Sequence, residues 1–100
     1  MRVEHAELSL QGARDSNQDR VGTEVTSDAV LLVACDGMGG HEAGERAAAI
    51  ALKTVVERFR AAAQPLLDPI GFLNLALGAA HQQIVVIGAD IPLENRPRAT

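Results

Sequence analysis

The sequence predicts an α+β fold in which antiparallel strands carry an antiparallel helix pair on one face. Three observations predict it. Residues 29–35 (AVLLVAC) form a continuous apolar run of strand length, as expected of a strand buried on both faces. Two later stretches carry apolar residues at spacings of three and four, the helical period. No strand signal follows either helix, so a parallel βαβ pattern is excluded.

The elements are read in chain order. Residues 2–10 alternate loosely and lack Gly and Pro, which suits a strand. Gly12 opens a polar loop, GARDSNQDR, without helical or strand period. Residues 20–26 (RVGTEVT) form a short strand, Ser27-Asp28 supplies turn chemistry, and 29–35 pairs back as a hairpin. That hairpin is expected to deliver Asp36 to its tip. A helix over 41–60 places Ala48, Leu52, Val55, Val56 and Phe59 on one stripe. Glu42 and Glu45 in its first turn and Arg58 and Arg60 in its last complement the helix dipole. After a break at Gln64-Pro65, Asp68-Pro69 caps a second helix over 69–88, with Leu73, Leu77, Ala80, Ile84 and Ile87 facing inward and Gly88 closing it. The tail from Asp90 reads as irregular.

Composition bounds the function. The 100 residues are 47% hydrophobic and 22% charged, which is the range of a folded globular chain and not of a disordered one. Two Phe are the only aromatics and much of the apolar content is alanine, so the core is thin for one domain. Nine Lys plus Arg against 13 Asp plus Glu argue against nucleic-acid binding. The lone Cys35 cannot form an internal disulfide and reads as a small buried strand residue. Glu4, His5 and Glu7 interrupt the N-terminus where a signal peptide needs an apolar core. No uninterrupted apolar run reaches the roughly 20 residues of a membrane span, so a cytoplasmic chain without membrane partners is expected.

Two polar clusters carry the chemistry: Arg14 to Asp19 (RDSNQD), and Asp36 to Glu42 (DGMGGHE). An aspartate directly after a buried run is held rigidly, and the glycines behind it let backbone carbonyls approach a hard cation. Taken alone, Asp36-Gly37 is more simply a turn. Sharper motifs fail. An EF-hand starting at Asp15 meets Arg20 where glycine is required, and a zincin pair meets Glu45 where the second His belongs. The single lysine, Lys53, lies inside a helix and cannot complete a P-loop.

Together, GARDSNQD (12–19) and VACDGMGGHEAGE (33–45) resemble the N-terminal part of bacterial PP2C-type (PPM) phosphatases, metal-dependent protein serine/threonine phosphatases. The resemblance implies a partial α-β-β-α sandwich, with residues 1–100 forming the first part of a larger domain. It implies two Mn²⁺ or Mg²⁺ ions in the intact domain and direct attack on phosphorus by a bridging water. Asp36 would ligate metal together with the Gly37 carbonyl, and Asp19 would act through water. Arg14 would hold the substrate phosphate, a task suited to a guanidinium fork. Met38 stands where eukaryotic relatives carry a histidine acid; His41 is a candidate for that role, beside the plainer reading of a histidine opening a helix. The implied partners are phosphoserine and phosphothreonine proteins and a cognate kinase. Further metal-binding aspartates of the family come from its C-terminal half, so the 100-residue chain is expected to be inactive by itself, with an uncovered apolar sheet face. Two alternatives stay open: a truncated, catalytically inactive phosphatase-like binding or regulatory module, and an unrelated domain binding phosphate at the Gly37–Gly40 loop.

Overall fold

A computed structural model describes residues 19–38, 41–89, 91–92 and 96–100, with His41 and Glu42 described in their backbone only. The strand expected over residues 2–10 lies outside the described residues. Five elements follow in order: β1 (Asp19–Val25), β2 (Val30–Met38), α1 (His41–Ala61), α2 (Pro69–Ile87) and β3 (Arg98–Ala99). The strands make one antiparallel sheet in the order β1-β2-β3, and the class is α+β.

The hairpin turns on two residues, Ser27 and Asp28, between the Thr26 and Ala29 pair. Two-residue turns usually rely on left-handed residues. None of the described non-glycine residues has a positive φ, and a side chain does the closing instead. Thr26 N–H donates to the Ala29 carbonyl at 2.9 Å, while Thr26 Oγ1 accepts from Ala29 N at 3.0 Å and from Asp28 N at 3.3 Å. A threonine hydroxyl thus satisfies the backbone donors of the turn.

Alternation along β2 sorts the sheet into two faces. Leu31, Cys35 and Gly37 are buried on the inner face, whereas Val30, Leu32, Ala34, Asp36 and Met38 are exposed on the outer one. Helix α1 covers the inner face and packs against all three strands; α2 packs against α1. Close approach is built in by small residues. Ala47, Ala48 and Ala51 are buried along α1, and a Cβ added to Gly22 of β1 would stand 2.7 Å from Leu52 Cδ1. Phe59, 2% exposed, is the largest fully buried side chain and meets Phe72 of α2 edge-on at 6.0 Å between ring centroids. On the outer face Leu32 is 72% exposed, with Val25, Val30 and Met38 beside it, so one α layer and one β layer of the expected sandwich are in place.

Three sequence expectations change. First, the inward stripe of α2 holds only in part: Ala80 is buried and Ile84 packs against the core as expected, but Ala76 joins them, whereas Leu73 and Leu77 are exposed. Alanines let α2 sit close to α1, and the bulkier leucines are displaced to the flank, where Leu73 lines a groove with Phe59 and Leu32. Second, Gly88 closes the helix as expected, its N–H donating to the Ile84 and Val85 carbonyls at 3.2 Å, but it does so at φ −95° without a left-handed turn. Pro97 approaches it closely, and a Cβ there would stand 3.2 Å from Pro97 Cδ. Third, the tail is not wholly irregular: Arg98–Ala99 pairs with the end of β2. The N-cap holds as read, with Asp68 Oδ1 accepting from Gly71 N at 3.0 Å. By length and composition α2 is also apolar enough to cross a membrane, although Asn74, His81, Gln82 and Gln83 punctuate it.

Candidate functional site: a cross-strand aspartate pair

Asp36 does not sit at a hairpin tip. Strand β2 runs on through Asp36-Gly37-Met38, so the Asp-Gly pair is ladder and not turn, at the open end of the hairpin far from Ser27-Asp28. Asp36 N–H donates to the Thr100 carbonyl at 2.7 Å, and Thr100 N–H donates to the Asp36 carbonyl at 2.8 Å. Both backbone groups of Asp36 are therefore spent on the β3 side. Strands lie on both flanks of Asp36, which fixes the face of the sheet from which its side chain leaves.

The residue opposite Asp36 on β1 is Asp19. In an antiparallel ladder the narrow and wide pairs alternate, and a residue bonded to one neighbour faces the other through a non-hydrogen-bonded pair. Asp19 and Asp36 are thus a non-hydrogen-bonded pair, the type with Cα atoms about 4.5 Å apart and side chains drawn closest. Directly opposite residues share a face, so both carboxylate stems leave the sheet on its outer side. Asp36 is exposed, while Asp19 is half-buried with Oδ1 screened from solvent. Arg20 Nη1 donates to the Asp19 backbone carbonyl at 2.9 Å, helping to hold the start of β1.

Two like charges directly opposite on a ladder are destabilising. A hard divalent cation removes that repulsion, and carboxylate oxygens are the ligands such cations take. The pair therefore fits one side of a cation site. Gly37, next along β2, directs its N–H and C=O away from β3 and toward the β1 side, the side on which Asp19 lies. Among the described residues no three His, Cys, Asp or Glu side chains gather into a metal cluster, which leaves two carboxylates as the acidic donors present.

Of the residues singled out from sequence, the structure brings Asp19, Asp36 and Gly37 to one end of the sheet. Arg14 lies outside the described residues, as does the side chain of His41, whose backbone opens α1. Cys35 is buried on the inner face, and burial pushes its thiol above the ordinary range, as suits an unreactive core residue. The cross-strand partnership of Asp19 was missed, because Asp19 was read as loop. The signal was present in the turn: pairing outward from Ser27-Asp28 along the seven residues of β1 arrives at Asp19 opposite Asp36.

A family model described as protein phosphatase 2C matches residues 10–88, a span that includes both aspartates, Arg14 and both helices. No curated protein matches the chain.

Proposed function

Since the chain belongs to the protein phosphatase 2C family, we propose that it serves a metal-dependent protein serine/threonine phosphatase acting on phosphoserine and phosphothreonine proteins. The observation that supports this reading best is the register that sets Asp19 and Asp36 face to face at the end of the sheet. When bound there, Mn²⁺ or Mg²⁺ supplies charge neutralisation for a phosphate and a water of lowered pKa. Every other contribution belongs to the chain. The ladder bonds to Thr100 hold the Asp36 backbone in place, so its carboxylate is presented from a fixed point on the sheet. Asp19, anchored by its place in β1, holds the second carboxylate. Arg14 grips the phosphate oxygens, the Gly37 carbonyl adds a neutral ligand, and His41 at the start of α1 is the candidate proton donor to the leaving serine or threonine oxygen. A cytoplasmic location and a cognate kinase complete the reading.

The exposed apolar outer face around Leu32 favours a second reading, a catalytically silent phosphatase-like module that binds a partner. One assay separates the two. Phosphate release from a phosphothreonine peptide by the intact protein is expected with Mn²⁺ and abolished by chelator. Equal release with and without metal, or none under any metal, would count against the phosphatase reading.

A further inference from the structure

Between the C-terminal half of α2 and β3 lies a cavity of about 560 Å³ whose lining includes Met38, His81, Ile84, Arg96, Arg98 and Thr100. Among the described residues no carboxylate side chain lines it, although the chain as a whole carries a net charge of −4. Arg96 Nε donates to the Ile91 carbonyl at 2.8 Å, which steadies that guanidinium. Arg98 is exposed, and neither arginine forms an ion pair among the described residues.

The register ties this groove to the aspartates. Thr100 stands opposite Asp36 and Arg98 opposite Met38, so Arg98 leaves the sheet on the face that carries Asp36 and lies diagonal to it. Diagonal neighbours on a ladder are about 7–8 Å apart. An extended peptide advances about 3.3–3.6 Å per residue, so that offset corresponds to about two residues of bound chain.

We propose that this groove is a specificity site for an acidic side chain about two residues from the phosphorylated one in the substrate. The inference rests on the phosphatase reading only for what occupies the aspartate pair. Arg98 and Arg96 offer guanidinium forks matched to a carboxylate. Ile84, Pro97 and Met38 wall the groove with apolar surface against which the stem of an acidic side chain can lie. The occupant is an acidic peptide segment, whose carboxylates complement the two arginines among the described lining residues.

The test uses fluorescence anisotropy with the intact protein and labelled phosphothreonine peptides that differ only in Glu or Lys two positions from the phosphothreonine. Phosphate release is followed in parallel. The Glu peptide is expected to bind about ten-fold tighter than the Lys peptide. Arg98→Gln is expected to erase that preference and Arg98→Glu to invert it, which loss of structure alone would not do. Should Arg98→Glu fail to fold, Arg98→Gln decides. Equal binding of the two peptides by the unaltered protein, or a preference that survives Arg98→Gln, overturns the proposal. A preference that responds to Arg98 in a protein that releases no phosphate upholds the groove and refutes the phosphatase reading instead.

Discussion

Replacing Asp36 by asparagine is expected to lower Mn²⁺-dependent phosphate release by the intact protein about 10³-fold while leaving the fold as stable as before, or slightly more so. The two effects have opposite signs for one reason. Asp36 and Asp19 form a directly opposed like-charge pair on the ladder. Without a cation that arrangement costs up to about 1 kcal/mol, and the amide relieves it. On the proposed reading the same amide would remove a negative ligand from a site whose cation would stabilise transition-state charge by several kcal/mol, which corresponds to about three decades in rate. The backbone is untouched, because the bonds to Thr100 are made by main-chain atoms. Steady-state kinetics with Mn²⁺ and thermal unfolding in chelator measure the two halves. A variant with full activity, or one that unfolds far more easily in chelator, contradicts this account of Asp36.

Phe59→Ala is expected to destabilise the chain by about 3–5 kcal/mol, the usual cost of removing a fully buried phenyl ring. Phe59 is where α1, α2 and the start of β2 come together: it packs in the core with Leu31 and Ala76 and makes the edge contact to Phe72. The surrounding core offers little to refill the space. Its other buried members are mostly alanines, with Val55, Leu31 and Cys35. Domains of this size have about 5–15 kcal/mol of total stability, so the loss removes a large share of it. Urea unfolding followed by circular dichroism should show the midpoint falling sharply at nearly constant slope. A midpoint shift worth under about 1 kcal/mol would mean that the helix pair is held by something other than this ring.

The local sequence carried the helices and the hairpin well, because each is written in short-range chemistry. Asp68-Pro69 announces a helix start through a side-chain cap and a pre-set φ, and the cap is observed. Ser27-Asp28 announces the turn, and Thr26 completes it. What the sequence did not yield was set by packing between elements. The buried stripe of α2 follows Ala76 and Ala80 because closeness to α1 outweighs the larger apolar area of Leu73 and Leu77. Strand β3 is two residues of unremarkable composition, visible only through its pairing with Gly37 and Met38. The close approach of Pro97 to Gly88 involves a neighbour nine positions on that no local rule could supply.

The candidate site divides in the same way. Asp36 was legible because a charged residue follows an apolar run, and Gly37 because a glycine follows it. The pairing of Asp36 with Asp19 depends on register, which a short turn fixes and which composition does not reveal. Arg98 was passed over as part of an irregular tail, and only the ladder shows that it shares a face with Asp36.

The central proposal is that Asp19 and Asp36 serve one and the same cation site. A double-mutant cycle on Mn²⁺ affinity, measured by titration calorimetry on the intact protein with Asp19→Asn, Asp36→Asn and both together, tests it most directly. Ligands of a shared ion are coupled, so the double variant should bind little worse than either single one. Additive losses, or an affinity indifferent to either aspartate, would contradict the claim.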